Sequence, residues 1–266
     1  MDTVLASLAT TGRLLLLFLG PLALAALGLH AIERALASRL VSRFGWRGVL
    51  VTGWLGVPLH ELSHVAACFV FRHRIEKLSL LAIDRTTGQL GEVQHAWERR
   101  NLYQQLGRFF IGVAPLAGGA LALWVLTLAL GPPDLKLTFS QGGADLPSTA
   151  RDALLQAGRL LRLLLAPGNL ALGLTWLYLY LCLCVSAHMS PSLTDLKGGL
   201  PGFLLLVALL LVVNLVVALV GVDGATLERV ALGVLSPLLA VLVMAIALST
   251  VTLLMVVAIT ALLPRR

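Results

Sequence analysis

Charged side chains are scarce in this chain. Asp, Glu, Lys and Arg together make up 12% of its 266 residues, where a soluble globular domain carries about 25%. A surface facing water on every side cannot be assembled from so few charges. Apolar residues make up 58% and the mean hydropathy is +0.93, so lipid is the expected solvent for much of the chain. Cysteine is rarer still. Cys68, Cys182 and Cys184 all fall inside apolar runs and do not suggest a disulfide framework. There is no internal repeat and no low-complexity linker, so residues 1–266 read as one membrane domain.

The sequence also lacks a basic patch interleaved with aromatics. Its net charge is +7, which in a soluble protein would raise nucleic acid as a partner. Here the basic residues lie between apolar runs. They read as topology signals and contacts to lipid headgroups, with no nucleic-acid partner. The first connection holds Arg34, Arg39, Arg43 and Arg47. The second holds Arg72, Arg74, Lys77, Arg85, Arg99, Arg100 and Arg108. Consecutive connections lie on opposite sides of a bilayer, and the larger charge of the second favours it as the cytoplasmic one.

Six apolar runs approach or exceed the ~20 residues a helix needs to cross a bilayer. They are Leu14–Ile32, Gly48–Phe71, Leu106–Leu130, Gly168–His188, Leu200–Val222 and Val230–Leu263. The expected fold is an all-α integral membrane bundle of about six transmembrane helices, a multi-pass protein of the cell membrane. The last run is long enough to tilt or to bend at Pro237. The leader of the first run holds Asp2 and a single basic residue, Arg13, which favours a retained helix over a cleaved signal.

Two stretches lie outside these runs. Ile75–Asp84 partly alternates apolar and polar residues, Arg85-Thr86-Thr87-Gly88 reads as a turn, and Gln89–Trp97 returns. This predicts a small β-hairpin after the second helix. Between Gly131 and Pro167, a loop-like start leads into an amphipathic helix over Ser148–Leu165, capped by Ser148. It suits either the membrane surface or a groove on the bundle.

The second apolar run contains His60-Glu61-Leu62-Ser63-His64. Residues four apart on an α-helix lie one above the other, about 6 Å apart along the axis. His60 and His64 can therefore present two imidazoles to one ion, with Glu61 beside them to take a proton from a water on that ion. Unpaired, such a cluster is costly in a membrane, where one central charge costs ~2.5–3.5 kcal/mol. A bound metal changes that balance; the other reading is a polar helix–helix contact in which Glu61 pairs with a nearby arginine.

A zinc site with one open position needs a third protein ligand. Asp195 is the only carboxylate in the stretch Ser186–Gly199 between two apolar runs, where Pro191, Gly198 and Gly199 suggest a broken, close-packed backbone. Asp195 also suits a helix cap. His188 is a second candidate, as a ligand, as a donor to an oxyanion, or as a structural residue. Cys68 follows His64 by four residues on the same helical stripe; thiolate ligation is conceivable there, but a small buried side chain is the preferred reading. His95 ranks lower, and His30 and His73 read as interfacial.

His60-Glu61-Leu62-Ser63-His64 in a membrane helix, a following hairpin, and a distant Pro191–x–x–x–Asp195–x–x–Gly198 stretch resemble the site-2 protease (M50-like) intramembrane metallopeptidases. The resemblance implies that His60, His64 and Asp195 bind Zn2+ and that Glu61 is the general base. It implies an enzyme that hydrolyses peptide bonds of membrane-embedded or membrane-adjacent proteins. Two other classes keep part of this pattern. One is a non-catalytic pseudoprotease that escorts membrane clients. The other is a metal transporter, which would need ionisable groups in several helices, whereas the last two runs have almost none before Arg265.

Overall fold

In a computed structural model the chain is a helical bundle with one small hairpin. The structure describes residues 2–84, 88, 90–132, 145–164, 166–220 and 224–262. Among these, eight helices and two strands follow in the order α1 (Asp2–Phe44), α2 (Trp46–Val70), β1 (Arg74–Ser79), β2 (Glu92–Ala96), α3 (Leu102–Leu130), α4 (Leu146–Leu164), α5 (Pro167–Leu170), α6 (Gly173–Ser186), α7 (Leu193–Val220) and α8 (Gly224–Leu262).

Long runs of Leu and Ala, both strong helix formers, carry the longest helices without interruption. At 1.5 Å per residue, α1 reaches about 65 Å and α8 about 58 Å, and both continue through an internal proline, Pro21 and Pro237. The four arginines expected in an open first connection have no such loop. Arg34, Arg39 and Arg43 lie on α1, and only Gly45 separates α1 from α2. Gly45 has φ 64°, a left-handed conformation that glycine adopts without steric cost. Arginine is itself a good helix former, and near a helix C-terminus its charge complements the dipole.

Four helical segments among the described residues are long and apolar enough to cross a membrane: Ser7–Phe44, Leu102–Leu130, Leu193–Val220 and Glu228–Leu262. The other two expected spans differ. The run Gly168–His188 is divided into the single turn α5 and the 14-residue α6, about 21 Å long against a ~30 Å hydrocarbon core. Helix α2 has 25 residues, enough length, but the polar His60–His64 stretch interrupts its apolar character.

The hairpin is antiparallel and shorter than the alternation implied. Ile75 pairs with His95 and Leu78 with Val93, with an irregularity between Ile75 and Lys77. Ala82 N donates to Leu90 O at 2.8 Å, so pairing continues past the strands. The expected turn residues Arg85–Thr87 and the start at Gln89 lie outside the described residues. The amphipathic helix α4 packs on α8, burying Ala153, Ala157, Leu160 and Leu164. The helix starts earlier than expected, and Asp145 and Ser148 hold its first turn together: Asp145 Oδ1 accepts from Ser148 N at 2.9 Å and Ser148 Oγ accepts from Asp145 N at 3.3 Å.

The largest core joins α1, α3, α6 and α8 through Leu29, Leu123, Tyr178, Met189 and Leu242. Helix α3 also packs against α2 and α7, so it is the element that sets the second helix against the seventh. At that seam a methyl group on Gly112 would sit 2.6 Å from the backbone oxygen of Asp195. Only a residue without a side chain lets the two backbones approach so closely.

Candidate metal centre

Helix α2 places His60 and His64 on one face, as their spacing requires. The two Nε2 atoms lie 3.3 Å apart. Asp195, on the first turn of α7, brings Oδ1 to 3.5 Å from His64 Nε2 and Oδ2 to 3.8 Å from His60 Nε2. The three residues form a cluster whose ligand atoms all lie within 4.8 Å of one another. A tetrahedral ion with bonds of ~2.0–2.1 Å has ligand–ligand edges of about 3.3 Å, so the spacing fits such an ion.

Hydrogen bonds to the far side of each ring fix its protonation. His60 Nδ1 lies 2.8 Å from His188 O, and His64 Nδ1 lies 2.8 Å from Ile111 O. A carbonyl only accepts, so each Nδ1 carries the proton and, in the neutral rings, each Nε2 carries a lone pair. Two lone pairs and a carboxylate then face one another across 3.3–3.8 Å. That arrangement is repulsive until a cation joins them.

Both acceptor carbonyls come from breaks in helical hydrogen bonding. Pro115 stands four residues after Ile111 within α3 and has no N–H to give, which frees Ile111 O for His64. His188 follows the end of α6, and its carbonyl faces α2. Gly56 permits that approach, since a methyl group there would collide with Cys184 O and the His188 side chain.

Asp195 is held by a capping box with Ser192, the residue before α7. Ser192 Oγ accepts from Asp195 N at 3.1 Å, while Asp195 Oδ2 accepts from Ser192 N at 2.8 Å and from Ser192 Oγ at 2.5 Å. The cap and the ligand readings are therefore one arrangement: Oδ2 serves mainly the cap and Oδ1 faces His64. The Ser-x-x-Asp spacing signals this in the sequence, although Ser192 went unremarked there.

Glu61 is buried to 7% exposure and makes no hydrogen bond to a described residue. Its carboxylate rests on Gly91, where a methyl group would lie 2.7 Å from Oε1. His60, Glu61, His64 and Asp195 share the wall of a cavity of ≈ 610 Å³, which contains ample room for a peptide segment. The same cavity is lined continuously by residues 90–95, the approach to β2 and most of the strand itself.

His188 also lines this cavity but is not in the ligand cluster. Its Nε2 lies 3.0 Å from Thr52 Oγ1 and its Nδ1 3.6 Å from Glu33 Oε1. Its backbone, holding His60, is the part that meets the centre. Cys68 is fully buried and lies outside the ligand cluster. His73, read as interfacial, is instead buried and lies 2.9 Å from His95, Nδ1 to Nδ1. Burial, then repulsion from His73, pushes the His95 imidazole down to about 4, and burial lowers His73 as well.

Comparisons with protein-family models, with curated proteins and with solved structures return no match. The functional reading therefore rests on the geometry of this chain.

Proposed function

We propose that this chain is a membrane-embedded zinc metallopeptidase of the site-2 protease type, cutting extended segments of membrane-embedded or membrane-adjacent proteins. The observation that carries the reading is the pair of imidazoles with Nδ1 tied to backbone carbonyls and Nε2 turned on Asp195 at tetrahedral spacing. His60, His64 and Asp195 are the residues that would hold the zinc, and all three line the cavity. Zinc bound there supplies a Lewis acid and a water whose pKa falls towards ~7.

Glu61 would act as the general base, accepting a proton at its carboxylate from the attacking water and passing it to the leaving amine. Its burial beside the histidines and against Gly91 suits it to the task, because no competing hydrogen bond to a described residue holds its oxygens. A helical substrate hides its carbonyls in internal hydrogen bonds and must unfold locally. The 90–95 edge along the cavity supports capture of an extended segment by strand addition. The long apolar helices support a bilayer setting and entry of the substrate from the membrane.

The test is cleavage of casein and of single-pass membrane peptides in detergent by wild type and by Glu61→Gln, with zinc measured in the same preparations. Glu61→Gln keeps shape and metal but cannot accept the proton. We expect zinc to remain near one per chain in both proteins and cleavage to fall by at least ~100-fold in the variant, the scale of general-base contributions. Equal cleavage in both proteins would sink the mechanism. Zinc without cleavage in either would favour a client-binding pseudoprotease.

A further inference from the structure

A second histidine pair stands on the hairpin side of the same cavity, away from the ligand cluster. His73 Nε2 lies 2.8 Å from Gln104 O. The carbonyl can only accept, so Nε2 carries the proton and His73 Nδ1 carries a lone pair. His95 Nδ1 lies 2.9 Å from that lone pair, so it must donate. The proton positions of the neutral pair are thereby determined one after the other, starting from a backbone carbonyl. The last nitrogen, His95 Nε2, is left as a bare acceptor with no hydrogen-bond partner among the described residues.

Its surroundings keep it so. His95 lines the cavity together with Trp97 and Arg108. The Arg108 guanidinium lies 4.4 Å above the Trp97 ring and opposes a second positive charge nearby. His95 sits on β2 opposite Ile75, on the strand segment that lines the cavity from Leu90 onward. Strand β2 pairs only with β1 among the described residues, so its other edge is unpaired, and an acceptor at a fixed point beside it matches a main-chain N–H of a chain laid along that edge.

We propose that His95 Nε2 accepts a hydrogen bond from a backbone amide of the bound substrate strand, fixing its register relative to the metal centre, with His73 and Gln104 locking the required tautomer. This rests on the peptidase reading for the identity of the substrate. It assigns His95 a binding role distinct from the ligand role that the sequence alone made conceivable.

Two measurements on the full-length protein in detergent test it. In the first, ¹⁵N-histidine NMR reports the tautomer without any substrate. The His95 resonances should show a protonated Nδ1 and an unprotonated Nε2, and a protonated Nε2 would overturn the proposal. The second measures the affinity of fluorescent casein by anisotropy in the Glu61→Gln background, so that turnover plays no part. His95→Asn places an amide where Nδ1 was and removes the distal acceptor. His95→Gln can return an oxygen to the distal position. We expect about five-fold weaker casein binding for His95→Asn, the scale of one lost hydrogen bond, and recovery to within about two-fold for His95→Gln, with zinc content equal in all. Unchanged affinity in His95→Asn, or equal loss in both variants, would overturn the proposal. Failure of the peptidase reading is seen separately, as absence of cleavage by the wild type.

Discussion

At the scale of single residues, the proposed centre depends on the atoms that hold His60, His64 and Asp195 as much as on those three residues. Ser192 supplies two hydrogen bonds to Asp195 Oδ2, and only one of them comes from its side chain. Ser192→Ala should leave the fold in place and weaken zinc binding by about 10–100-fold, the range seen when a group orienting a ligand is removed. Competition with a chromophoric chelator measures this, and unchanged affinity would show that the capping box does not orient the carboxylate. The His60-Glu61-x-x-His64 face was legible because helical spacing alone dictates it. Asp195 was legible by scarcity, as the only carboxylate in its stretch. The carbonyls of Ile111 and His188 were not, because every residue carries a carbonyl and only tertiary contact decides which one meets a ring.

At the scale of elements, α3 gives up one internal hydrogen bond at Pro115 and returns it to His64 through Ile111 O. Pro115→Ala restores an N–H that competes for the same oxygen. Zinc affinity should fall by about ten-fold, within the range for such supporting contacts. The thermal midpoint of the metal-free protein should hold or rise, since a proline inside a helix costs roughly 3 kcal/mol. A fall in both would assign Pro115 a packing role only. Gly112 meets the Asp195 backbone directly, whereas the task of Pro115 is hidden in the sequence because it acts through a residue four positions earlier.

The hairpin element should respond to acid. His95 titrates near 4 in the folded protein, below the ~6.5 of an unperturbed histidine, and His73 is shifted the same way. Between those values the unfolded segment binds more protons than the folded one, so its stability is complete above about pH 6.5 and declines as the pH falls towards 4. Hydrogen exchange of the β1 and β2 amides, corrected for the intrinsic pH dependence of exchange, should show protection lost across that window. Protection in α3 should remain. Uniform protection from pH 7 to 4 would contradict the neutral pair. Alternation foretold a hairpin over these residues, but the burial of His73 follows from α2 and α3 closing over it, which no local pattern records.

For the whole molecule, composition and long apolar runs identified a helical bundle suited to lipid, and the ends of α3 and α8 fell close to the expected positions. The number of spanning helices was harder to read. A run of apolar residues does not reveal that Pro167 and the stretch before Gly173 divide it, or that α1 passes through its arginines to Gly45 without a loop. Hydropathy measures solvent preference, whereas helix breaks depend on backbone geometry and on what packs beside them.

The close contact of Gly112 with the Asp195 backbone has a consequence in time as well as in space. His60 and His64, two of the three proposed ligands, leave the ribosome long before Asp195, which arrives only with the start of α7. Chains emerge at ~5–20 residues per second, so for several seconds the nascent protein carries Glu61 and two imidazoles but no third ligand. Docking of α7 on α3 supplies the carboxylate and its correct position together. The centre is therefore completed late in biogenesis, and a truncated or stalled chain lacking α7 would carry a paired-histidine motif without the means to assemble the full ligand set.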